Sequence, residues 1–175
     1  MPSKKRTPEL THLDAEGAAR MVDVSAKAAS LRSATARAVV TLGSAAWSAL
    51  DISENRKGDA LGVARLAGIQ AAKRASDWIP LCHPLVFDGV DVALTRSARR
   101  RTVEIVASVR GTGKTGYEME AMVAAAAAAL TVYDMCKGAG KGIVVGPIEL
   151  LSKTGGKSGD WVRPAATARR PRRDR

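Results

Sequence analysis

An α+β fold on the ferredoxin-like split βαβ plan, an antiparallel sheet covered on one face by helices, follows from three observations on this sequence. Apolar and polar residues alternate in several separate stretches, as half-buried strands require. Two alanine-rich runs recur at helical spacing between them. The resulting order is strand, helices, two strands, helix, strand, in which each helix carries the chain across the same face of one sheet. The opposite face would be left uncovered and in want of a partner, so an oligomer is expected.

The elements can be justified in turn. Met21-Val-Asp-Val-Ser25 could form a short edge strand. From Ala34 the chain alternates, with Ala36, Ala38, Val40 and Leu42 on one side and Thr35, Arg37, Val39 and Thr41 on the other, until Gly43 ends the strand. Ser44 then caps a short helix running to about Leu50. Asp59 suits the N-cap of a long helix from Ala60 to about Ser76, with Ala60, Ala64, Ala67, Ala71 and Ala75 on a narrow face that lets a partner element come close. It must stop before Pro80, because the residue preceding a proline is biased away from helical geometry. Val90, Val92 and Leu94, then Val103, Ile105, Ala107 and Val109 after a basic turn at Arg99-Arg-Arg101, read as a hairpin. Thr115 and Glu118 stand at capping-box spacing before six consecutive alanines, so a second long helix should begin near Gly116 and end at Lys137, with Gly138 turning left-handed. Residues 143–151 supply a last strand.

Charge and composition bound what the chain can be. The formal net charge is +11, but residues 1–8 carry +3 and residues 162–175 carry +5, leaving +3 for the body between them. We therefore expect a basic tail at 1–9, one catalytic domain at 10–161 and an Arg-rich tail at 162–175, both tails disordered. Such ends could stick weakly to nucleic acid, which makes a basic nucleic-acid-binding module the competing reading. Cys82 and Cys136 have no close-spaced partners, so neither a disulfide framework nor a zinc site is supported. No apolar signal core opens the chain, and the longest nearly apolar run, residues 121–132, is too short to span a bilayer, so a cytoplasmic protein is expected.

The chemistry-bearing residues cluster in a few stretches. In Ile79-Pro-Leu-Cys-His-Pro-Leu85, prolines at 80 and 84 stiffen the backbone around His83, which is either an oriented substrate contact or a histidine satisfied by a backbone partner. Two glycine-lysine loops end in Gly113-Lys-Thr115 and Gly156-Lys-Ser158. Neither is a Walker loop, because Ser108 and Leu151 stand where the first glycine is required. Each can hold an anion through backbone N–H groups and a lysine, or serve as a flexible turn. Asp134 and Lys137 share one face of the last helical turn, as a surface ion pair or as an acid–base couple. With Lys57, His83, Lys153 and Lys157 they suit proton transfer on a substrate that also carries phosphates.

Six blocks then resemble one family: Lys57-Gly-Asp, Ala67-Gly-Ile-Gln-Ala-Ala-Lys-Arg74, the proline-bracketed histidine stretch, Gly113-Lys-Thr-Gly-Tyr-Glu-Met-Glu120, Tyr133-Asp-Met-Cys-Lys137 and Gly155-Gly-Lys-Ser-Gly-Asp160. Together they resemble the cyclic pyranopterin monophosphate synthases of molybdenum cofactor biosynthesis, the MoaC family, from about Leu10 to Trp161. The resemblance implies a lyase that converts (8S)-3',8-cyclo-7,8-dihydroguanosine 5'-triphosphate to cyclic pyranopterin monophosphate, releasing pyrophosphate. It implies Asp134 as the catalytic residue, assisted by Lys57 and Lys137. It carries substrate contacts onto Leu81, Cys82, His83, Met119 and Glu120, and onto Arg32 and Lys153. It implies no cofactor and no protein metal site, although Mg2+ could accompany the triphosphate. Its partners would be the small-molecule substrate and further copies of itself, a homohexamer built as three dimers with sites at subunit contacts, with no specific nucleic acid and no membrane.

Overall fold

The computed structural model describes residues 12–50 and 59–165. Strand β1 (Ser30–Thr41) is followed by the short helix α1 (Ser44–Ser48), then α2 (Ala60–Ala72) and α3 (Ala75–Trp78). The hairpin β2 (Gly89–Ser97) and β3 (Thr102–Gly113) leads into α4 (Glu118–Cys136), β4 (Val144–Thr154) and a two-residue strand β5 (Trp161–Val162). The sheet order is β2-β3-β1-β4-β5 and every pairing is antiparallel. β3 thus lies between β1 and β2, which is the split βαβ plan with one extra edge strand.

The alternation predicted for β1 holds: Ala34, Ala36, Ala38 and Val40 are fully buried, as are Val103, Ile105 and Ala107 opposite them on β3. These side chains meet the alanines of α4, and burying each of the valines and isoleucines there stabilises the fold by about 1.5–3 kcal/mol. Small residues set the helix spacing. A Cβ added at Gly68 of α2 would lie 2.9 Å from the Ala124 carbonyl oxygen of α4, so the two helices touch through backbone. By length and composition α4 could cross a bilayer, yet 56% of the relevant window is buried inside the protein, which makes it a core helix.

Several expectations are corrected. Residues 21–25 pair with no strand; Val22 and Ser25 are instead tied to the body by side chains of His83 and Lys114. The first long helix breaks after Ala72, where Arg74 N–H bonds back three residues to Ala71 and re-aims the chain into α3. Gly43, not Ser44, is the N-cap of α1, and no side chain caps it. Asp59 caps α2 as expected, accepting from Gly62 N–H at 2.8 Å. α4 starts two residues later than predicted, because the capping box does not form: Glu118 turns away to an ammonium of β4. Gly138 is not left-handed; Lys137 ends the helix in right-handed geometry and Ala139 N–H closes a turn on Cys136. Past Trp161, Val162 pairs with Ser152 and Arg163 N–H reaches the Leu151 carbonyl.

The uncovered sheet face is polar. Thr35 and Ser108 share a hydrogen bond of 2.9 Å, and Arg37 bridges Glu104 and Glu149. The large exposed apolar side chains Leu66, Trp78 and Leu130 lie on the other side, along the outside of the helix layer. Leu31, Val144, Ile148 and Val162 on the strands are exposed as well, so exposed apolar side chains occur on both layers.

Candidate active site

Two cavities abut where β1, β4 and the start of α4 converge. The larger, about 760 Å³, is lined by Arg32 of β1, Lys153 at the end of β4, Lys157 and Lys27. The smaller, about 230 Å³, is lined by Leu81, Cys82, His83, Met119 and His12. Thr115, Gly116 and Glu118 line both, so the two form one composite site.

Backbone geometry explains how Arg32 comes to face the larger cavity. Gly155 and Gly156 adopt φ of +81° and +77°, a left-handed region that favours glycine, and fold the loop after β4 back over Arg32. A Cβ on Gly156 would lie 2.4 Å from Arg32 Nη1. From the other side Arg32 Nε donates to the Gly113 carbonyl at 3.0 Å. The guanidinium is thus wedged between the two glycine loops. Lys114 lines neither cavity; its ammonium donates to the Ser25 carbonyl at 2.8 Å. Lys153 pairs with Glu118 at 2.8 Å, both partly buried. Glu118 is the residue sequence reasoning misassigned as a cap, and Lys27 went unnoticed; no spacing in the chain relates Lys27 to Lys153.

In the smaller cavity His83 donates from Nε2 to the Val22 carbonyl at 2.8 Å. A carbonyl can only accept, so Nε2 carries a proton, which in the neutral imidazole leaves the lone pair on Nδ1. Cys82 Sγ contacts Glu120 Oε1 at 3.8 Å. Burial, and then the nearby Glu120 carboxylate, push the thiol pKa up to about 11, so Cys82 is a thiol donor rather than a nucleophile. Glu120 is only 2% exposed and its Oε2 has no hydrogen-bond partner among the described residues.

Asp134 and Lys137 are paired with each other at the opposite end of α4. Sixteen residues of helix separate Glu118 from Asp134, about 24 Å at 1.5 Å per residue. Asp134 borders a third cavity, about 440 Å³, beside Arg74, Gln70 and Trp78 in the groove between α2 and α4. Its hydrogen bond raises the Lys137 pKa, the reverse of the lowering that neighbouring cations would produce. Lys57 lies outside the described residues. The structure thus gathers Arg32, Lys153, Leu81, Cys82, His83 and Met119 at one place, with Glu120 just behind, and leaves Asp134 and Lys137 elsewhere on the same protomer.

Residues 21–156 match the MoaC family model, more than three quarters of the chain. The chain belongs to the MoaC family. Its members act in molybdenum cofactor biosynthesis, which makes this MoaC chain part of that process. The matched span takes in Arg32, the Asp134–Lys137 pair and most of the lining of both abutting cavities of this MoaC protein, leaving out His12, Lys157 and Ser158.

The buried carboxyl of MoaC Glu120 yields a stability prediction. Burial first, and the charge of Glu118 further, raise its pKa above the ordinary 4.5, although its own backbone N–H and the Cys82 thiol pull the other way. Well below pH 4.5 the side chain is neutral in folded and unfolded chains alike. As pH rises the unfolded chain ionises first, so stability falls until the folded pKa is passed, and the full cost persists above it. Glu120→Gln should therefore melt above the parent at neutral pH and lose that advantage below pH 4.5. Melting curves across this range check it; a Glu120→Gln advantage independent of pH contradicts a buried ionising group.

Proposed function

We propose that this MoaC chain is a cyclic pyranopterin monophosphate synthase, a cytoplasmic lyase that converts (8S)-3',8-cyclo-7,8-dihydroguanosine 5'-triphosphate to cyclic pyranopterin monophosphate and pyrophosphate. The observation that carries this reading is the composite site: a cavity edged by Arg32, Lys27, Lys153 and Lys157 opens beside a smaller one edged by Cys82, His83 and Met119. The first suits a triphosphate, whose charge must be offset before a substrate hydroxyl can attack the α-phosphorus and expel pyrophosphate. The second suits the purine-derived ring system, offering the His83 lone pair and the Cys82 thiol as acceptor and donor.

Ring opening and reclosure need proton transfers, and here Asp134, Lys137 and Lys57 enter. Asp134 holds Lys137 in its ammonium form, ready to act as an acid. Since about 24 Å of α4 separates this pair from the composite site, we assign it to the site of a second copy, in dimers that assemble three to a hexamer. The exposed Trp78 and Leu130 beside Asp134, with Leu66 exposed on α2, favour contact through the helix layer, with the two α4 helices antiparallel.

Purified chain given the cyclic triphosphate precursor should release one pyrophosphate per pyranopterin formed. Lys57→Ala should lower that rate by about a hundred- to ten-thousand-fold, the usual contribution of one acid–base group. Native turnover by Lys57→Ala removes that lysine from the mechanism, and no turnover by the parent chain removes the reading.

A further inference from the structure

Residues 12–29 run across the mouth of the composite site without joining the sheet. His12 lines the smaller cavity, while Lys27 and Ala28 line the larger, so one segment edges both. It has internal order: Asp14 Oδ1 accepts from Ala18 N–H at 2.7 Å, Arg20 N–H donates to the His12 carbonyl, and Asp23 closes a turn on Ser25. None of its side chains is buried. Among the described residues the hydrogen bonds that tie it to the body are two, His83 to the Val22 carbonyl and Lys114 to the Ser25 carbonyl, each 2.8 Å, with Val22 and Val24 half-buried beside them. A segment ordered within itself, unburied, and held to the body at two points can swing as a unit at small cost.

Resting on the reading of the larger cavity as a polyphosphate site, we propose that residues 12–29 form a lid latched by His83 and Lys114, and that Lys27 on this lid is a further phosphate-binding residue. Closure brings the Lys27 ammonium to the cavity edged by Arg32, Lys153 and Lys157. The lid must open to admit a triphosphate-bearing molecule, and the bound phosphates then favour the closed state through Lys27. His83 couples the two cavities, because the imidazole that lines the ring pocket also holds the Val22 latch.

Trypsin tests this on the full chain, since Arg20 and Lys27 are both exposed lid residues. Inorganic tripolyphosphate is the probe, its binding followed by calorimetry and the fragments by mass spectrometry. Cleavage tracks the open population when opening is fast, so saturating tripolyphosphate should slow cuts after Arg20 and Lys27 by about tenfold or more. Lys114→Met removes one latch and should speed cutting after Arg20 by roughly three- to tenfold in the free chain. Lys27→Met should weaken tripolyphosphate binding about tenfold. Equal lid cleavage with and without bound tripolyphosphate overturns the lid, as does failure of the parent chain to bind tripolyphosphate. Unchanged affinity in Lys27→Met overturns the role of that lysine. None of these readouts uses turnover: a chain that closes over tripolyphosphate yet makes no pyrophosphate from the precursor keeps the lid and loses the enzymatic reading, and the reverse pattern does the opposite.

Discussion

Chains carrying Asp134→Ala should be inactive alone, chains carrying Lys153→Ala likewise, and co-assembled mixtures of the two should recover about a quarter of the native rate. The expectation comes from α4 as a ruler. Lys153 is paired with Glu118 at the first residue of the helix, and Asp134 sits about 24 Å along it. One protomer cannot bring both to one substrate, whereas two protomers with antiparallel α4 helices can. Random mixing makes half the dimers mixed, and each mixed dimer then has one site with both substitutions and one with neither. Each single variant should lose about a hundred- to ten-thousand-fold, so the recovered activity stands far above either background. Asp134→Ala also frees Lys137 from the bond that raises its pKa, so its ammonium should titrate at lower pH than in the parent. A mixture no more active than the mean of its two components would mean that Asp134 and Lys153 do not serve one site from two chains.

The second large effect is structural. Tyr117→Ala should cost about 3–5 kcal/mol, as aromatic truncations in cores do, and at this chain length should lower the melting temperature by roughly 6–20 °C. The Tyr117 ring is fully buried and meets Phe87 edge to face, centroids 6.4 Å apart. Its hydroxyl donates to the Val86 carbonyl at 3.0 Å and occupies the gap that Gly111 and Gly113 leave; a Cβ at those positions would lie 2.7 and 3.0 Å from it. One side chain thus ties the first turn of α4 to the loop carrying Cys82 and His83. Tyr117→Phe keeps the ring and loses the hydroxyl bond, so it should cost only about 0.5–1.5 kcal/mol. Denaturant titrations of the two variants check the ratio; a Tyr117→Ala loss below about 1 kcal/mol would mean that the loop is held by something else.

How much of this was legible in advance differs between fold and site. The alternation along β1 and β3 named the buried face residue by residue, because a strand repeats every two positions and burying a polar side chain without a partner is costly. The Asp59 cap was equally readable, since a carboxylate beside free helix N–H groups is a local fact. The Thr115–Glu118 box was misread for the complementary reason. Glu118 had a local partner in its own backbone and a distant one in Lys153, and only the fold reveals that the distant ammonium is near enough to win. Lys114, offered by its loop either to an anion or to a flexible turn, holds the Ser25 carbonyl, a partner 89 residues away that no local pattern indicates.

By itself, then, the sequence determined the order of the four long strands and the two long helices, the faces that are buried, and the family to which its six blocks belong. All of these are set by short-range periodicity or by the residue types that one chemistry demands. Tertiary structure alone decided which cations share a cavity, that Lys27 and Glu118 stand among them, and that Asp134 does not. Those are distances between residues far apart in the chain, and a charge acts on whatever lies within a few ångströms in space, not along the backbone.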